Sequence, residues 1–201
     1  MPQTLLAILG LGLTSLVAFN QQRASTQSYE AMIKNEFELA ATGALMHVME
    51  FIGARSFDER ATPGGVRSAN ALPVGANDFV AISGFGAQDR GSLGCDLLAP
   101  RNTPDCDDID DTHGINWQPI TARLSDGRTL PFEVSVRVDY VTDDSLRVPS
   151  TTPTTHKRVV LTARTPYLPQ YPQIAQVERV FSYDPNYTES SYESVYGPIL
   201  E

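Results

Sequence analysis

The sequence predicts an α+β protein: one long N-terminal helix packed on a C-terminal antiparallel β-sheet. Three observations carry this. No proline occurs between Thr4 and Phe57. Apolar residues in the second half of that stretch recur at steps of three and four, the helical period. After residue 117 the period changes to two, the signature of half-buried strands.

The helix is expected over residues 4–57 and divides into two unlike halves. The apolar half, residues 4–19, reads LLAILGLGLTSLVAF from Leu5 to Phe19, and no charged side chain precedes Arg23. Pro2 suits a first helical turn, where its missing N–H costs nothing. Asn20, Gln21, Gln22 and Arg23 form a polar collar. In the amphipathic half, residues 20–57, Tyr29, Ile33, Phe37, Ala40, Ala44, Val48 and Phe51 or Ile52 make a stripe expected to face a core. Met32, Leu39 and Met46 make a second stripe at steps of seven, free to touch a neighbour. His47, beside Met46 and Val48, is expected to be partly buried. Such a rod, about 80 Å long at ~1.5 Å per residue, has no place inside a domain of this size. It projects, and its apolar end belongs in a membrane, in a bundle of its own copies, or in each in turn.

Residues 59–201 are expected to form a globular, β-rich head. Residues 59–77, rich in Gly, Pro, Ala and Asn, read as a surface loop, with a short strand at Phe79–Ile82. In Leu130–Val141, Phe132, Val134, Val136, Val138 and Tyr140 alternate with Glu133, Ser135, Arg137 and Asp139, which makes the clearest strand. A weaker strand near 117–124 joins it through a Ser-Asp-Gly-Arg hairpin turn at 125–128. Further strands are expected at His156–Thr165, with Val159, Leu161 and Ala163 inward, and at Ile174–Tyr183. The tail at 184–201 has no period. Tyr183, Tyr187, Tyr192 and Tyr196 there either cap this sheet or meet a second subunit.

Composition excludes several functions. The 201 residues suffice for one domain with an extension, and the net charge of −9, without a Lys/Arg cluster, argues against nucleic acid. Cys95 and Cys106 suggest one disulfide closing a short loop in an oxidising compartment; the competing reading is two free thiols. His47, His113 and His156 have no partner at metal-ligand spacing, so no metal or cofactor is expected. Gly84-Phe85-Gly86 lacks the rest of a dinucleotide fingerprint, scattered Ser, His and Asp make no triad, and no enzyme is expected. Asp105, Asp107, Asp108, Asp110 and Asp111 read as a solvated acidic loop rather than a calcium site, because an EF-hand's glycine and final glutamate are missing. Asn186-Tyr187-Thr188 is a glycosylation sequon.

The apolar run is no conventional cleaved signal. Met1-Pro2-Gln3 carries no basic side chain, and Leu16 stands where a small residue is wanted before Ala18. As a membrane span it is short, about 16 residues against roughly 20, and it contains Gly10, Gly12, Thr14 and Ser15. It spans marginally or holds temporarily, and its small residues permit close approach between helices.

This order of elements, an apolar then amphipathic helix, a loop, and an antiparallel meander with a disulfide, resembles the type IV pilin superfamily, which includes pilins and pseudopilins. The resemblance covers the whole chain at the level of architecture. It implies a pilin-like fold and a structural subunit of an extracellular type IV pilus-like filament (a fimbrium). Leu5, Leu6, Ile8, Leu9, Leu11, Leu13, Leu16, Val17 and Phe19 would form its core by polymerisation. The implied partners are other copies of the chain in a helical homopolymer, the inner membrane before assembly, where the segment acts as a transmembrane helix, and the pilus assembly machinery. The head would be exposed for cell adhesion. The family's basic leader is missing, so Met1 is read either as the first residue after cleavage or as a start without that processing. Leu5 stands where most members carry glutamate, so subunit docking would use other contacts. The rival readings are a minor pilin or pseudopilin, a single-pass membrane-anchored binding domain, and a secreted protein with a cleaved signal.

Overall fold

The structure is a computed structural model and describes residues 2–58, 79–86, 95, 97, 108–124 and 127–183; over residues 2–8 it describes the backbone only. Helix α1 spans Pro2–Gly53, so Pro2 is its first residue, as the sequence suggests. Its 52 residues reach about 78 Å at ~1.5 Å per residue. The helix stops four residues before the expected end. Ala54 N–H donates to Glu50 O at 3.1 Å and Arg55 N–H to Ile52 O at 3.0 Å, which closes the last turn. The position of Phe181 explains why glycine stands at 53: a Cβ there would lie 2.6 Å from the Phe181 ring.

Five antiparallel strands follow: β1 (Gln118–Arg123), β2 (Thr129–Thr142), β3 (Ser145–Pro149), β4 (His156–Arg164) and β5 (Ala175–Ser182). The sheet order is β1-β2-β4-β5, and β3 folds back on the end of β2. The β1–β2 turn falls where expected: Gly127 has φ 86°, the left-handed region that favours glycine, and Leu124 N–H donates to Arg128 O at 2.8 Å. Along β2 the alternation is realised, with Phe132, Val134, Val136, Val138 and Tyr140 all buried. On β4, Val159, Leu161 and Ala163 point inward. Val138 pairs with Val159 and Val134 with Ala163, which keeps the apolar faces in phase.

The free edge of β2 is covered piecewise. Beyond β1, Val136 exchanges hydrogen bonds with Gly114 and Ile115, and Val138 N–H donates to His113 Nδ1 at 3.0 Å. Ser150 N–H then donates to Tyr140 O at 2.7 Å. His113 thus substitutes for a missing strand residue.

The core lies between the sheet and the last third of α1. Ala41, Leu45, Val48, Met49 and Ile52 pack against Phe132, Val134, Leu161 and their neighbours. Phe37 meets Phe132 edge-on, ring centroids 6.3 Å apart. The core therefore crosses residue 58, where the sequence changes from helix to head. The opposite sheet face carries ion pairs, Arg164–Glu133 at 2.6 Å and Arg158–Asp139 at 3.1 Å, with the Arg164 guanidinium 4.0 Å from the Trp117 ring centre.

Several expectations need correction. The core-facing stripe holds only from Phe37 onward: Tyr29 and Ile33 are exposed because the sheet does not reach them, and Ala41, Leu45 and Met49 widen the buried face. His47 is exposed. Phe79–Ile82 is no strand; Phe79 is buried, and Ile82–Gly84 is one 3-10 turn. Strand β3 escaped the reading because it buries no side chain and pairs across a register shift at Val141 and Thr142. Tyr183 packs on Phe57 and Phe79, so this tyrosine caps its own domain. Among the described residues, no helix is long and apolar enough to cross a membrane, so the expected transmembrane helix is not found there. Gly10, Gly12, Thr14 and Ser15 dilute a run that already meets polar residues at Asn20.

Candidate assembly surface and a buried charged centre

The candidate filament residues divide by what the structure describes. The side chains of Leu5, Leu6 and Ile8 lie outside the described residues. Leu9, Leu11, Leu13, Leu16, Val17 and Phe19 are all exposed, Leu11 at 68 %. Met32, Leu39 and Met46 continue the exposed apolar surface, Leu39 at 76 %. Large apolar side chains gain about 1.5–3 kcal/mol each on full burial, so this surface is unfavourable in water. Thr14, Thr26 and Ser28 hide their hydroxyls. Thr14 Oγ1 donates back to Gly10 O or Leu11 O, both at 3.0 Å, Thr26 to Gln22 O at 3.0 Å, and Ser28 to Ala24 O at 2.9 Å. These side chains need no external partner when the helix is packed. Nothing lies within 4 Å of a Cβ built at Gly10 or Gly12, leaving room for another backbone.

Cys95 is buried, is not a free thiol, and receives Arg55 Nη1 on its sulfur at 3.4 Å. Cys106, its expected partner, lies outside the described residues, as does the sequon at Asn186.

The structure also assembles a group that sequence reading missed. Lys157 is wholly buried on the core face of β4. Its Nζ donates to Asp110 Oδ1, to Asp58 Oδ2 at 3.1 Å and to Phe57 O at 2.5 Å. The rings of Phe57, Tyr140 and Phe85 enclose it, with centroids 4.5, 5.3 and 5.4 Å from Nζ. Asp58 lies five residues beyond the end of α1; Val80 N–H donates to its Oδ2 at 3.0 Å, and the Tyr140 hydroxyl, 3.4 Å from that oxygen, donates to Val80 O at 2.9 Å. Asp110 opens a 3-10 turn, Asp110–Thr112, held by Thr112 Oγ1 donating to Ile109 O at 2.7 Å. Ile109 N–H donates to Ser56 O at 2.9 Å, which brings this turn to the end of the helix.

Asp108 and Asp110 are buried rather than solvated, which corrects the acidic-loop reading at these two positions. Asp105 and Asp107 lie outside the described residues. Burial raises the Asp108 carboxyl well above the usual range, and the Asp110 and Asp111 charges add to this. Burial also raises Asp110, with Lys157 opposing and Asp58 reinforcing the shift. The Tyr140 hydroxyl is pushed up by burial and then by Asp58. Among the described residues, no three His, Cys, Asp or Glu side chains are grouped to hold a metal. One sequence signal for the centre existed. Lys157 shares the parity of Val159, Leu161 and Ala163, so extending the alternation by one step places an ammonium in the core.

No protein-family model, no curated protein and no solved structure matches this chain.

Proposed function

We propose that this chain is a structural, non-enzymatic subunit of an extracellular filament of the type IV pilus kind, with a pilin-like fold. The observation that carries the reading is the apolar face of α1, exposed from Leu9 to Phe19 and continued at Met32, Leu39 and Met46. The chain's own sheet covers only the helix from Phe37 onward. Other copies of the same helix are the occupant that fits, because glycines allow close approach and the Thr14 hydroxyl is satisfied internally. In the filament these helices bundle at the centre, and the heads face outward to set adhesion. The apolar half is held in the cytoplasmic membrane only in passing, and a pilus-type assembly machinery extracts it. A run too short and too rich in small residues for a stable span suits a segment that leaves lipid.

Electron microscopy of material sheared from producing cells, with the repeating subunit identified by mass, tests this. Filaments built mainly of this chain, with residues 9–19 at the axis, are the expected result. Traces of the chain in filaments made of another subunit point to a minor pilin or pseudopilin. A detergent-extracted monomer and no filament would overturn polymerisation in favour of a membrane-anchored binding domain.

A further inference from the structure

We propose that Lys157 and Asp110 join through an intramolecular isopeptide bond, with Asp58 carrying the proton. The inference rests on the interior of the head alone and is independent of the filament reading. A lysine amine and a carboxyl condense within a protein when three conditions meet: contact without intervening water, a proton acceptor for the amine, and a carboxyl able to lose its oxygen as water. All three are met here. Lys157 Nζ touches Asp110 Oδ1, and both side chains are at most 5 % exposed. Holding the reactants together removes the entropic cost that makes the bimolecular reaction slow. The enclosing rings of Phe57, Tyr140 and Phe85 exclude water, which favours condensation over hydrolysis.

The two carboxyl groups beside Lys157 differ in a way that assigns their roles. Asp58 Oδ2 lies 3.1 Å from Nζ and Val80 N–H holds it there at 3.0 Å, which places a proton acceptor on the amine, while the Tyr140 hydroxyl gives its one proton to Val80 O at 2.9 Å. Burial favours the neutral form of Asp110, which suits an acyl group. The step balances. The ammonium passes a proton to Asp58, and the Nζ lone pair attacks Cγ of the protonated Asp110 carboxyl. As the tetrahedral centre collapses, the second amine proton leaves with the Asp110 hydroxyl as water, and Asp58 keeps the first, ending neutral. The Cγ–O bond breaks, a Cγ–Nζ amide bond remains, and one water leaves. No oxidant or cofactor enters. The amide replaces a buried ion pair by a neutral link between β4 and the turn beside the end of α1.

A tryptic map of the full-length protein, after reduction, tests the proposal. Unmodified Lys157 is cut to release residues 148–157, alongside linear 102–123. The isopeptide blocks that cut and yields 148–158 branched onto 102–123, lighter by one water than the two peptides together. That branched species, in near-complete yield and resistant to reductant, is the expected result. Linear 148–157 and 102–123 in full yield overturn the bond. A branch onto residues 56–60 instead overturns the choice of Asp110, since that peptide carries Asp58. Asp58→Asn is expected to lose the branch while keeping its β circular dichroism; retention of the branch at native yield overturns the proton-carrying role. The map of the unsubstituted protein decides the bond even where that variant folds poorly.

Discussion

The two ends of α1 are equally helical and differently employed. Ala41, Leu45, Val48, Met49 and Ile52 are buried against the sheet; from Leu9 to Phe19 residues of the same kind stand in solvent. Between them Leu39 is exposed and Leu45 wholly buried, six positions apart on one helix. Composition does not distinguish these leucines. They differ in the helix face they occupy, whereas the two ends of the rod differ in the extent of the sheet, which ends before Ile33 and leaves the rest of the rod to find another partner.

The sharpest way to break this comparison is to charge the exposed end. Leu9→Asp or Leu13→Asp is expected to abolish filaments while leaving the head's melting temperature unchanged, since neither side chain touches the core; electron microscopy and a thermal melt read the two halves of that statement. Normal filament yield from both variants would refute the bundle. Next in size is the contrast within the docked half. Leu45→Ala is expected to cost about 2–5 kcal/mol in urea unfolding, as for other fully buried leucines. Leu39→Ala is expected to change stability by less than about 0.5 kcal/mol, as for an exposed site, and to weaken assembly instead.

The buried carboxyls sharpen the same contrast through pH. Asp108 binds its proton more tightly in the folded chain than in the unfolded one, because burial first, then the Asp110 and Asp111 charges, raise it. Its contribution to stability is therefore full below about pH 4, the ordinary carboxylate value, and is lost as pH rises through the folded value. Asp108→Asn retains the Oδ1 that Asp111 N–H reaches at 2.9 Å and has no proton to lose. The variant is expected to lose less stability than the native protein as pH rises from about 4, the ordinary carboxylate value, through the raised folded value. Parallel urea titrations giving the same loss for both would contradict this. The smallest effect concerns glycine. Gly53→Ala meets the Phe181 ring and is expected to destabilise by about 1 kcal/mol. Gly43→Ala, with nothing within 4 Å, is expected to stabilise by up to about 1 kcal/mol through helix propensity. Differential scanning calorimetry of the pair measures both signs.

Much of the fold was legible because it is local. A proline-free stretch of helix formers and the parity of Phe132 to Tyr140 each depend on residues a few positions apart. Strand β3 was not legible, since Leu146 and Val148 are exposed and leave no buried face to alternate with. The exposed apolar end of α1 was read directly, while the Lys157 centre was missed. Its members, Asp58, Asp110 and Lys157, come from three separate regions, and charge in a sequence ordinarily means solvent. Only the parity of Lys157 on β4 marked it in advance.

By itself, then, the sequence determined the rod, strands β1, β2, β4 and β5, and the faces that β2 and β4 turn inward, because helical and pleated periods are properties of neighbouring residues. The tertiary structure alone decided which stripe of α1 the sheet covers, that Asp108 and Asp110 leave water, and that Lys157 meets two carboxylates inside a cage of rings. Those outcomes depend on where a finite sheet ends and on which distant segments its packing brings within hydrogen-bond reach.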